Sequence, residues 1–115
     1  MDAVSTLLKC LKSKRYISDI EKAKAEVSTE RITLRKEDDL FIRDAITRYG
    51  TILKEDLDHH YYITTIKMGT FGNTLSHAII LREGPEADVA VYAHEGLIKQ
   101  HLAEKAMQKL KSVLC

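Results

Sequence analysis

Three β-rich runs between Tyr61 and Ala93 constrain this chain more than any other feature. They are Tyr61–Met68, Thr74–Leu81 and Asp88–Ala93, separated by a Gly69-Thr-Phe-Gly-Asn73 turn and a Gly84-Pro85 break. β-branched and aromatic residues dominate each run, and glycine marks each junction. The pattern predicts a three-stranded antiparallel meander. Its middle run, Leu75–Leu81, is apolar at nearly every position. A strand covered on one side alternates more cleanly. Either helices lie on both faces, or one face joins another subunit.

Helical periodicity surrounds this segment. Val4, Leu7, Leu8 and Leu11 recur at helical spacing behind Asp2, which can cap a helix from Ala3 to about Lys12. Ser18-Asp-Ile-Glu21 has the form of a capping box and predicts a second helix from Asp19 to about Val27. The segment 28–35 reads as either strand or loop. From Lys36 to Tyr49 the residues Leu40, Phe41, Ile42, Ala45, Ile46 and Tyr49 share a face, and Gly50 stands where a helix stop belongs. Thr51–Asp58 reads as further helical turns. A long amphipathic helix is expected from Glu95 to about Val113, with Leu97, Ile98, Leu102, Ala106, Met107 and Leu110 inward. The fold class expected is therefore α+β: N-terminal helices, the meander, and a C-terminal helix packed on it, all in one domain over residues 1–115.

Charge and cysteine content narrow the setting. The formal net charge is +1, with basic ends around an acidic middle. A dedicated nucleic-acid binder shows a basic face and a high pI, so this balance argues against one. Lys9, Lys12, Lys14 and Arg15 leave a weak third reading of phosphate contact through the N-terminal segment. No apolar run approaches the ~18–20 residues of a membrane span. Cys10 and Cys115 form neither a disulfide framework nor a metal-ligand pair. Together with an N-terminus unlike a signal peptide, this predicts a cytoplasmic protein.

No motif names a reaction. Gly69-Thr-Phe-Gly-Asn73 lacks the lysine of a phosphate loop, and no catalytic nucleophile stands beside a base. No catalytic residue, metal ligand or cofactor is assigned. His60 and His94 fall at opposite ends of the meander, so they cannot share a metal. His94 and His101 are too far apart along a helix for a ligand pair. His77 is expected opposite Ile66. The adjacent donors His59 and His60, next to Asp58, are the candidate mouth of a small-ligand pocket together with Tyr61. The leading expectation is a non-enzymatic interaction or regulatory module. It would associate through a sheet edge or an apolar helix face, as a homodimer or with another protein, using Tyr62, Thr64, Ile66, Val89 and Val91. The alternative is a small-ligand-binding domain or weak enzyme with its pocket near His59, His60 and Tyr61.

Overall fold

A computed structural model describes residues 2–14, 25–68, 74–94 and 101–115. The order of elements is α1 (Ala3–Ser13), β1 (Ala25–Thr33), α2 (Asp39–Thr47), β2 (Ile52–Asp56), β3 (Tyr61–Met68), β4 (Thr74–Glu83), β5 (Glu86–His94) and α3 (Leu102–Leu114). The strands form one antiparallel sheet in the order β1-β5-β4-β3-β2. The fold is α+β, but the expected three-stranded meander is only the middle of a five-stranded sheet. β3 and β5, expected as edges, are both internal. The true edges are β1 and β2.

Two segments account for the difference. Ala25–Val27, expected at the end of a helix, begins β1, which pairs with β5 along its whole length from Ala25↔His94 to Thr33↔Glu86. The rest of that expected helix, with its capping box, lies outside the described residues. Ile52–Asp56, expected as helical turns, is β2. Its Leu, Lys and Glu favour a helix in isolation, but β3 offers a pairing partner and tertiary context decides. The connecting turn is closed locally. The His59 amide donates to Asp56 Oδ1 at 3.1 Å, and His60 takes the left-handed conformation at φ 59°.

The period-2 alternation of each strand sorts its side chains between two cores. Ala78 and Ile80 of β4, with Tyr62 and Ile66 of β3 and Ala87, Val89 and Val91 of β5, face α2 and α3. There they meet Ile42, Ala45 and Ile46 of α2 and Ala106, Met107, Leu110 and Leu114 of α3. Ile63, Ile79, Ala90 and Tyr92 face the other way, onto Ala3, Leu7, Cys10 and Leu11 of α1. Helices on both faces thus explain why Leu75–Leu81 is apolar on both faces except at Ser76 and His77. Leu40, assigned to the inward face of α2, is instead 65% exposed.

Asp2 caps α1 as expected, accepting from the Ser5 amide at 3.0 Å. The other two helices start later than the sequence predicts. α2 begins at Asp39 rather than Lys36, with Asp38 as its cap accepting from the Leu40 amide at 3.0 Å. α3 begins at Leu102 rather than Glu95, because His101 takes the left-handed conformation at φ 54° and interrupts the helical path; residues 95–100 of the expected helix lie outside the described residues. Gly50 has a different role from the helix stop expected of it. The chain after α2 runs alongside β3, with Lys67 N–H donating to Tyr49 O and Thr65 N–H to Thr51 O at 2.9 Å. A Cβ at Gly50 would stand 1.6 Å from the Thr65 carbonyl oxygen. Close backbone approach, not helix termination, requires glycine there.

Candidate functional site

Tyr61 is buried against α1 and lines an open cleft between α1 and the β2–β3 hairpin. The cleft holds about 640 Å³ and is bounded by Thr6, Lys9, Cys10, Ser13, Lys14, Lys54 and Tyr61. Pairing of Lys54 with Ile63 and of Asp56 with Tyr61 puts Lys54 and Tyr61 on the α1 face of the sheet. The Lys54 ammonium stands 5.6 Å from the centroid of the Tyr61 ring. The adjacent Tyr61 hydroxyl holds the Lys54 pKa above its ordinary value, so the amine stays charged. Opposite it, Lys9 and Lys14 are exposed on α1, with the buried free thiol of Cys10 between them.

The other predicted pocket residues lie elsewhere. His59 Nδ1 is 3.0 Å from Asp56 Oδ2, and this contact holds the Asp56 carboxyl below the usual carboxylate range. His59 and His60 are exposed on the β2–β3 turn and do not line the cleft. Tyr61 registers with Leu81 and Leu81 with Asp88, whereas His94 is at the far end of β5, roughly 20 Å along the strand. His77 pairs with Thr65, not with the expected Ile66. A one-residue difference of register moves every side chain to the opposite face, and it puts His77 on the α1 side. His101 Nδ1 is 3.3 Å from Glu26 Oε2. Among the described residues, no three His, Cys, Asp or Glu side chains converge as a metal site.

The residues expected at an interface, Tyr62, Thr64, Ile66, Val89 and Val91, are all fully buried between the sheet and its helices. Tyr62 has a structural task. Its hydroxyl donates to Asp39 Oδ1 at 2.5 Å, and Arg82 Nη2 is 3.6 Å from the same oxygen. Burial, and then the Asp39 carboxylate, push the Tyr62 phenol well above its ordinary value. A phenol held protonated in this way is a hydrogen-bond donor that pins the start of α2 to the sheet.

The two true edges differ. β2 is five residues long, carries a bulge between Ile52 and Lys54, and ends in Lys54, Glu55 and Asp56. Short length, a bulge and charge all blunt an edge. β1 is nine residues long and regular, and among the described residues no strand pairs with its outer side. Glu26 and Glu30 turn towards α3, where Glu26 accepts from the Glu104 amide and Glu30 receives the Lys111 ammonium at 2.6 Å. Val27 is 44% exposed on the opposite face. Arg31, on that same face, holds Glu83, Glu86 and Asp88 together at the β4–β5 turn.

No protein-family model and no curated protein matches this chain.

Proposed function

We propose that this protein is a non-enzymatic association module that works as a homodimer, its two copies pairing β1 with β1 across a two-fold axis. The carrying observation is the free outer side of β1, nine residues of backbone donors and acceptors with no described strand beside them. Such an edge recruits another strand through its main chain.

The sequence of β1 is compatible with a second copy as the occupant. In an antiparallel pairing with Thr29 opposite its own counterpart, Ser28 faces Glu30, Val27 faces Arg31, and Glu26 faces Ile32. No like charges are directly opposed. Odd-numbered residues stay on the α1 side and even-numbered residues on the α3 side in both copies, as an isologous two-fold contact demands. The two free cysteines fit a reducing, cytoplasmic setting.

Sedimentation over a range of concentrations tests this reading. The wild-type chain should dimerise. Thr29→Lys, an exposed position in the fold, sets two ammonium groups face to face at the axis and should weaken dimerisation by about tenfold or more with the circular dichroism unchanged. A monomer at all concentrations, or a dimer indifferent to Thr29→Lys, overturns it.

A further inference from the structure

We propose that the cleft between α1 and the β2–β3 hairpin binds a small organic anion, an apolar body carrying a phosphate or carboxylate head. The cleft lies on the opposite side of the sheet from β1, so this inference is independent of the dimer.

Charge supplies the first argument. Among the described residues, Lys9, Lys14 and Lys54 line the cleft and no carboxylate does. Among the described residues, none of the three has an ion-pair partner, although the chain carries 17 acidic residues. Elsewhere lysines do find partners, as Lys111 does with Glu30. Lys54 is engaged by the Tyr61 hydroxyl and feels the Asp56 carboxylate, yet three cations without an ion-pair partner among the described residues still give the concavity a net positive potential.

The hydroxyls supply the second. Ser13 Oγ donates to Cys10 O at 3.0 Å, and Thr6 Oγ1 donates to Asp2 O at 2.8 Å. Both protons are already committed to the helix backbone. The donors left for a ligand are the ammonium groups, which are strong point-charge partners for phosphate or carboxylate oxygens.

The walls supply the third. Between the lysines lie the Cys10 thiol and Tyr61, both on the buried side of the α1 core. A fully hydrated inorganic ion would leave these surfaces unused. A ligand with an apolar body covers them while its head reaches the rim, and about 640 Å³ is ample for a ring with one anionic substituent.

Phenyl phosphate is a suitable probe, followed by amide chemical-shift titration of the intact chain. Saturable shifts should map to Thr6, Cys10, Ser13, Lys54 and Tyr61. The double variant Lys9→Gln/Lys54→Gln should weaken binding by about tenfold or more, and Lys9→Arg/Lys54→Arg should restore most of it. Thr29→Lys should leave binding unchanged. Benzyl alcohol, which has the ring without the charge, should not saturate the site, and inorganic phosphate should bind more weakly than the ester. Absence of saturable shifts, equal binding of benzyl alcohol, equal binding of inorganic phosphate, or indifference to the double glutamine variant each overturns the proposal.

Discussion

The two faces of the sheet are built to different depths. On one, α2 and α3 together bring Ile42, Ala45, Ile46, Leu102, Ala103, Ala106, Met107, Leu110, Val113 and Leu114 against the strands. On the other, among the described residues, α1 alone brings Ala3, Leu7, Cys10 and Leu11. A single helix, about 10 Å wide with its side chains, spans about two strands at roughly 4.8 Å spacing. It therefore cannot by itself span a five-stranded sheet, and Val27 and Leu75 on that face are 44% and 46% exposed. The cleft beside Tyr61 opens on this thinner side as well, next to α1. The face with two helices stabilises the fold, and the face with one has room for a ligand.

Matched truncations test that asymmetry most directly. Leu110 and Leu7 are both buried, one in each core. Leu110→Ala, in the denser core where little can move to fill the gap, should cost about 4 kcal/mol of unfolding free energy. Leu7→Ala should cost about 2–3 kcal/mol, because α1 can settle towards the sheet. Urea denaturation measures both. Equal losses would mean that the two cores are equally rigid. Native-state hydrogen exchange sharpens the point: α1 amides should exchange through a lower-energy opening than α3 amides.

Gly50→Ala ranks next. The added methyl meets the Thr65 carbonyl, a backbone atom inside the sheet that cannot yield without parting the 49–51 segment from β3. A loss of about 3 kcal/mol is expected. A neutral effect would show that this segment is not held against β3 in solution. Tyr62→Phe removes only the hydroxyl that donates to Asp39, and Arg82 remains nearby to pair with that carboxylate. About 1–2 kcal/mol should be lost, again on the denser side.

How much of this was legible in the sequence depended on whether local pattern and tertiary pairing agreed. β3, β4, β5 and the body of α3 were legible because β-branched alternation and helical periodicity coincide with what the fold uses. β2 was not. Leu53, Lys54 and Glu55 are helix formers, and only the presence of β3 makes them a strand. A helical pattern there conceals three things: one of the two edge strands, the close approach at Gly50, and Lys54 as the partner of Tyr61 across the cleft. Tyr61 follows two histidines in the sequence, yet the cleft it lines uses Lys9 and Lys14 from the C-terminal part of α1 and its cap, and Lys54 of β2, in their place. Lys9 and Lys14 were visible only as a basic segment, because no local signal says which wall a helix lysine will face. Likewise the apolar residues expected at an interface were core residues, since two-sided burial by helices and burial by a partner leave the same pattern in a strand.

The smallest expected effect belongs to His77, on the thinner side. It pairs with Thr65 and Tyr92 across the neighbouring strands, and burial pushes its pKa below the ordinary value of 6.5. The sign follows from proton counting. In the unfolded chain His77 protonates near its ordinary value, while the folded protein resists the charge. Between the two pKa values the unfolded state binds more protons, so stability falls as pH drops through that window and the penalty is complete below the folded pKa. Above pH 6.5 both states are neutral at this position and the contribution vanishes. His77→Gln keeps a polar side chain there without the titration, so it should flatten the stability profile on the acid side of pH 6.5 and leave it unchanged on the alkaline side. Paired denaturation curves on either side of that pH measure the difference. An undiminished acid slope in the variant would mean that α1 leaves His77 open enough to water to ionise freely, and that the thinner face is more hydrated than its packing indicates.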